Sequence, residues 1–194
     1  MPDTPTSSRR PPRAQHLLVC AHGPTEDLRR ARFGGVAPLS HPELTPPVVE
    51  PVHQWWCGPE LACQETLTHW GVAPTPVVTS LRGPDSGTWA GLTLDEVGGA
   101  HPEELRTWMR DPRHPPPGGE SLAALVERLR SFSKSLVPIG WSGVVTTPLV
   151  ARALLVGALD APIGLVSRIE LSPGGRALLS RPTVDDSWHL RRLT

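Results

Sequence analysis

The stretch Leu17-Leu-Val-Cys-Ala-His-Gly-Pro-Thr25 decides the fold. Its apolar run predicts a buried β-strand over His16–Cys20, and His22 follows at the carboxyl end of that strand. The arginine-rich segment that comes next, Glu26–Arg32, is expected to be helical. Because open α/β sheets bind their ligands at the carboxyl ends of the strands, we predict that His22 lies at the functional edge of a sheet.

The composition indicates an ordinary globular domain. The chain has 194 residues, 38% of them hydrophobic, and 19 basic residues balance 19 acidic ones. This balance gives no indication of a nucleic-acid partner, and no apolar run is long enough to span a membrane. Residues 1–14 are predicted to be a disordered arm before a single domain over 15–194. Three cysteines without metal-type spacing read as free thiols, so we expect a cytoplasmic protein, and the arginine-rich composition is typical of a bacterial source.

Strand-like and helix-like segments alternate along the rest of the chain. Strands are predicted over Val52–Cys57, Pro76–Leu81, Trp141–Thr146, Leu165–Leu171, Ala177–Ser180 and Trp188–Leu193. Helices are predicted over Glu60–Trp70, Pro102–Arg110, Ser121–Leu136 and Pro148–Leu159. A capping box is predicted at Thr93 and Glu96, and a loop over Val36–Pro51. The alternation predicts an α/β fold: a three-layer αβα sandwich around a mostly parallel central sheet.

Six segments, in order, resemble those of the histidine phosphatase (phosphoglycerate mutase-like) superfamily. Leu17–Thr25 is similar to its Arg-His-Gly-x-Thr signature, and Gly58–Thr66 is similar to its Ser-Pro-x-x-Arg-Ala-x-Gln-Thr helix start. Asp85–Val97 resembles the family's loop with its following helix, and Pro117–Ser121 resembles its Gly-Glu-Ser helix entry. Val145–Leu155 is similar to its Ser-His-Gly-Gly-x-x-Arg turn, and Ser187–Arg191 resembles the closing strand of actinobacterial members. The resemblance implies a phosphoglycerate mutase-like fold over residues 16–193.

The resemblance also assigns the family's catalytic roles to positions of this chain. In that family a histidine is phosphorylated, two arginines and a second histidine bind the phosphate, and an acid protonates the leaving group. The nucleophile falls on His22, but the arginines fall on Ala21 and Ala62, the acid on Gly83 and the second histidine on Thr147. Since phosphoryl transfer depends on stabilising about two negative charges, we predict that the chain is not an efficient phosphatase or mutase.

The small, uncharged residues at these positions predict a roomier and more apolar pocket. Around His22 we expect the ligand to be bound by Ala21, Thr25, Trp56, Ala62, Gly83, Asp85, Trp89, Thr147 and Arg152. Glu26 and Asp85 are possible carboxylate partners of His22, with surface solvation as the alternative role of both. No spacing is typical of a metal site, and we expect neither a metal nor another cofactor.

Three functions remain open on the sequence alone. The first is a repurposed enzyme of a biosynthetic pathway, such as an isomerase, lyase, dehydratase or cyclase, with His22 as general acid or base. The second is a non-catalytic pseudophosphatase that binds or regulates, and the third is a weak phosphatase acting through His22. The expected partner is a small organic molecule in an apolar pocket, without nucleic acid or membrane, and a homodimer is the expected assembly if the chain is not a monomer.

Overall fold

A computed structural model of the chain describes residues 14–41, 44–47, 52–73, 75–137 and 140–194. Residues 1–13 of the predicted arm and parts of the predicted Val36–Pro51 loop lie outside these residues. The strands are β1 (Gln15–Ala21), β2 (Gln54–Cys57), β3 (Trp141–Thr146), β4 (Arg176–Arg181) and β5 (His189–Leu193). The helices are α1 (Glu26–Arg29), α2 (Leu61–His69), α3 (Leu94–Ala100), α4 (Pro102–Arg110), α5 (Leu122–Ser135) and α6 (Pro148–Ala158).

The five strands form one sheet in the order β2-β3-β1-β4-β5. The pairs β1–β3 and β2–β3 are parallel, whereas β4 is antiparallel to both β1 and β5. Four of the five strands therefore run in the same direction, and the predicted mostly parallel sheet is confirmed. The carboxyl ends of β1, β2 and β3 consequently meet at one edge.

Strand β1 lies at the centre because its side chains are buried on both faces of the sheet. On one face, Leu17 and Val19 pack with apolar residues of α5 and α6. On the other face, Leu18 and Cys20 pack with Cys63 and Leu67 of α2. The alternation of strand side chains thus gives two cores, one on each side of the sheet, and the predicted three layers are confirmed.

Helix boundaries follow the local signals closely. Thr93 and Glu96 form the predicted capping box at α3, and Ser121 and Thr147 cap α5 and α6 with their hydroxyl oxygens. Helix α1 is shorter than predicted and ends at Arg29, since Ala31 adopts a positive φ of 48°. In the described residues, no helix combines the length and apolarity needed to cross a membrane.

Two of the predicted strands are wrong. In Pro76–Leu81 only Val77 makes a bridge, to Cys57, and Thr79–Leu81 turns into a 3-10 helix. In Leu165–Leu171 the backbone N–H groups of Arg168 and Ile169 donate to the carbonyl of Leu165. These local bonds satisfy the backbone groups that a strand would pair with a neighbouring strand.

Candidate functional site

Three neighbouring strand ends build the site. The backbone N–H of His22, directly after β1, donates to Thr146 O at 2.8 Å, and Gly58 N after β2 donates to Val145 O at 2.9 Å. Thr147 follows β3, the strand between them, and begins α6. The sheet thus places His22, Thr147 and the turn that starts α2 side by side, as expected for an α/β site.

His22 is held in one orientation at the end of β1. It is 4% exposed, and its ring Nδ1 lies 2.6 Å from Gly23 O. Because a carbonyl oxygen only accepts, Nδ1 carries the proton in the neutral ring, and Nε2 keeps the lone pair. Burial lowers the pKa of His22, while the Gly23 carbonyl and the negative charge of Glu60 act against that shift. The ring is therefore suited to accept a proton at Nε2.

A cavity of about 740 Å³ opens next to His22. Six further residues predicted to bind a ligand line it with His22: Thr25, Ala62, Gly83, Asp85, Thr147 and Arg152. The structure therefore brings these predicted residues together around one space large enough for a small organic molecule.

The other three predicted ligand-binding residues do not line the cavity, and their prediction is corrected. Ala21 is fully buried, because it points from β1 into the core under α5 and α6. Trp56 is half-buried against the same core. Trp89 is buried beside Phe33 and Trp108, and its ring packs against theirs at centroid distances of 5.3 and 5.9 Å. Trp56 and Trp89 therefore pack in the interior of the protein. Among the described tryptophans, Trp108 is the one that lines the cavity.

Glu60 is the carboxylate of the cavity that acts on His22, and it was not predicted from the sequence. Glu60 precedes α2 and lines the cavity, and its Oε1 accepts from Gly83 N at 2.6 Å. Its Oε2 lies 3.7 Å from the sulfur of Cys63. Burial lowers the pKa of His22, and the Glu60 charge opposes that lowering. The sequence does contain a signal for this role, because Glu60 is an acidic residue at the predicted start of a helix, two residues after Gly58 and two before Ala62.

The two carboxylates considered from the sequence have other roles. Glu26 is on the surface, where hydrogen bonds from Arg29 and Arg30 hold its pKa at about 2. Asp85 lines the cavity, but its Oδ1 accepts from the backbone N–H of Gly87.

Cys57 is buried, and burial raises the pKa of its thiol to about 12, which makes it a poor nucleophile.

The arginines that line the cavity differ in whether a carboxylate lies near them. Arg32 pairs with Asp27 at 3.2 Å, and Arg82 lies 3.9 Å from Glu120. Arg152 is half-buried, and no carboxylate pairs with it in the described part of the chain; its Nε donates only to Pro148 O at 3.3 Å. Burial lowers its pKa, which is the sign of a cation that has lost water without gaining a partner.

Within residues 14–41, 44–47, 52–73, 75–137 and 140–194, no three histidine, cysteine or carboxylate side chains come together as a possible metal group.

Comparison with known proteins identifies the family. Residues 47–193 match the model of the histidine phosphatase superfamily (branch 1), which is more than half of the chain. The match begins after β1 and so leaves out His22. The chain belongs to the histidine phosphatase superfamily.

Curated relatives share only part of their length with this chain. A bifunctional protein of Mycobacterium tuberculosis is 36% identical over 91 residues, 45% of this chain and 25% of the relative. Phosphoserine phosphatase 1 of Hydrogenobacter thermophilus is 34% identical over 62 residues, 31% of this chain and 29% of that protein. The chain therefore spans about a quarter of the length of these relatives.

Solved structures share the fold over nearly the whole chain. The alpha-ribazole phosphatase from Shigella flexneri superposes with a TM-score of 0.73 at 18% identity, covering 92% of this chain and 96% of its own. A mycobacterial glucosyl-3-phosphoglycerate phosphatase gives a TM-score of 0.74 at 20% identity, covering 92% and 97%. At this identity the likeness establishes the fold, and the activity must be argued from the site.

Proposed function

We propose that this chain is a small-molecule enzyme in which His22 acts as general acid or base, and that phosphoryl transfer is absent or very weak. The observation that carries the proposal is the carboxylate of Glu60, which lines the same cavity as His22 and acts on its ring. A phosphate group carries about two negative charges near neutral pH and needs cationic groups around it, which a carboxylate does not supply. The same carboxylate stabilises an imidazolium, the state that His22 reaches when it takes a proton.

The charges around the cavity support the proposal. Arg32 pairs with Asp27, and Arg82 shares the Glu120 carboxylate with Arg128. Arg152 is the described lining arginine without a carboxylate partner. Ala62 and Thr147 supply no positive charge. Catalysis of phosphoryl transfer rests on positioning and charge stabilisation, so a site with this balance lacks the main requirement.

The proposed chemistry moves a proton within one bound molecule. Nε2 of His22 takes a proton from a carbon or oxygen of the substrate, and Gly23 O and Glu60 stabilise the resulting cation. The imidazolium then returns the proton to a second atom of the same molecule in an isomerisation, or to the departing group in an elimination. Neither course consumes an oxidant, a reductant or a metal.

Deuterium exchange tests this proposal for any substrate that gives up a proton from carbon. A panel of small carboxylic acids and ketones with acidic C–H bonds is incubated with the protein in D2O and followed by NMR. We expect at least one compound to exchange faster with the wild-type chain than with His22→Asn, a variant checked for an unchanged circular dichroism spectrum. Equal exchange with both proteins across the panel contradicts the enzyme and favours a binding protein.

Phosphorylation of His22 supplies the opposing test. After incubation with p-nitrophenyl phosphate, we expect no phosphohistidine at His22 by mass spectrometry and no release of p-nitrophenol above that of His22→Asn. Phosphohistidine at His22 together with nitrophenol release would establish a phosphatase and overturn the proposal.

A further inference from the structure

We infer that the cavity binds a molecule with one carboxylate head group and an apolar body, and that Arg152 holds the carboxylate. The inference rests on the proposed function only in taking the His22 cavity as the substrate site. It names the class of molecule, which the acid–base argument leaves undefined.

Arg152 is placed to receive an anion beside the start of α6. Its Nε donates to Pro148 O, one turn earlier in α6, so the guanidinium lies over the helix start that follows β3. That helix start adjoins His22, whose backbone N–H donates to Thr146 O. The guanidinium lines the cavity and has no carboxylate partner among the described residues. A partly buried cation without a partner gains most from a ligand that brings the opposite charge.

The mouth of the cavity is apolar although it faces solvent. Three large hydrophobic side chains that line it are exposed: Leu28, Val36 at 80% and Met109 at 66%. Trp108 and Leu149 line the same space. Exposed apolar side chains that gather at one opening mark a binding surface, because leaving them in water costs free energy that an apolar ligand recovers. A ligand that covers them carries an apolar body.

The number of free charges decides between a carboxylate and a phosphate. One guanidinium with its planar fork matches one carboxylate through two parallel hydrogen bonds. A phosphate brings a second negative charge into a cavity that the Glu60 carboxylate also lines. Thr147 adds a neutral hydroxyl and no positive charge. A carboxylate therefore meets less repulsion in this cavity than a phosphate does.

Matched probes test the inference by binding alone. 1-Naphthylacetate, its neutral amide and 1-naphthyl phosphate share an apolar body and differ in the head group. Since a hydrogen bond to a charged group contributes about 1.5–3 kcal/mol, we expect the acetate to bind roughly 10- to 100-fold more tightly than the amide, by isothermal titration calorimetry. We expect 1-naphthyl phosphate to bind more weakly than the acetate.

Two arginine variants make the test specific. Arg152→Gln is expected to abolish the preference for the acetate over the amide while leaving amide binding unchanged. Arg130→Gln is the control, since Arg130 is not among the residues that line the cavity and pairs with Asp160 at 3.0 Å, and this variant should keep the preference. Met109→Ser is expected to weaken the acetate and the amide alike.

The outcomes separate this inference from the proposed function. A preference that survives in folded Arg152→Gln, or a phosphate that binds more tightly than the acetate, overturns the inference. His22→Asn is expected to keep the binding of 1-naphthylacetate and lose deuterium exchange. Binding without exchange in the wild-type chain would therefore contradict the enzyme while upholding the ligand class.

Discussion

Two glycines make room for the Glu60 carboxylate. A Cβ built on Gly58 would lie 2.8 Å from Glu60 Oε2, and one built on Gly83 would lie 3.4 Å from Glu60 Oε1. The backbone N–H of Gly83 donates to the same carboxylate. Gly83 is also the position at which the family resemblance places the acid of the phosphatases. We interpret Glu60 as a carboxylate that occupies, from the start of α2, the space left by a missing side chain at Gly83.

Substitution of Glu60 is expected to change the titration of His22. The Glu60 charge raises the pKa of the ring against the larger effect of burial, so Glu60→Gln removes the opposing effect and lowers the pKa of His22 further. Histidine NMR titration of the wild-type and variant chains measures both values. Glutamine keeps the size of the side chain and an oxygen that accepts from Gly83 N, which preserves the local structure.

Asp85→Asn is the matched control for that titration. Asp85 lines the same cavity, but its carboxylate accepts from Gly87 N and is not among the groups that shift His22. We expect no change in the pKa of His22 in this variant. A pKa that is as little changed by Glu60→Gln as by Asp85→Asn would refute the pairing of His22 with Glu60.

At the scale of the elements, hydroxyl caps determine where the helices begin. Ser121 precedes α5, and its Oγ accepts from Ala124 N at 3.2 Å. Helix α5 carries Leu125 and Leu129, which are fully buried against the sheet and α6. The cap therefore supports an element on which one of the two cores depends.

Ser121→Ala is expected to lower the free energy of unfolding by about 1 kcal/mol, since the first turn of α5 loses its side-chain acceptor. Urea-induced unfolding followed by circular dichroism measures the change. Ser121→Asp is the control, because aspartate supplies the acceptor again and is favoured at this position. Equal losses in both variants would show that the hydroxyl does not act as a cap.

The sequence predicted the elements wherever the signal was local. The apolar run of β1, the capping box at Thr93 and the periodicity of α5 depend on neighbouring residues, and all three are confirmed. Leu165–Leu171 was wrongly predicted as a strand because a short apolar run does not distinguish a strand from a helical turn packed on the core. In Pro76–Leu81 the β-branched residues favour a strand, but Pro76 has no N–H to donate to one.

At the scale of the whole molecule, the site was predictable only in part. His22 follows from the strand–turn pattern, Ala62 and Thr147 follow from the family resemblance, and all three line the cavity. Glu60 was missed because its role depends on Gly83, which is 23 residues away along the chain. Trp89 was misplaced because its packing partner Trp108 belongs to α4, a contact that no local pattern encodes.

The three cysteines are all buried, and we expect them to lower the stability of the molecule at alkaline pH. Burial raises the pKa of Cys20 and Cys57 to about 12, and it raises that of Cys63 as well. Above about pH 9 the unfolded chain releases thiol protons that the folded chain retains, so stability falls as pH rises. Each thiol contributes a slope of about 1.4 kcal/mol per pH unit up to its folded pKa. The chain has no tyrosine and one lysine, the exposed Lys134, so few other side chains titrate in this range.

Cys20→Ala tests this account through the change in the free energy of unfolding with pH, and not through the free energy at one pH. The free energy of unfolding is measured in urea, under reducing conditions, at several values between about pH 8.5 and pH 11. We expect the wild-type chain to lose stability steeply over this range and Cys20→Ala to lose it less steeply, by about 1.4 kcal/mol per pH unit. Any cavity left by the missing sulfur lowers the stability by the same amount at every pH and does not alter the slope. Parallel curves for the two proteins would mean that the Cys20 thiol ionises equally easily in the folded and unfolded chain.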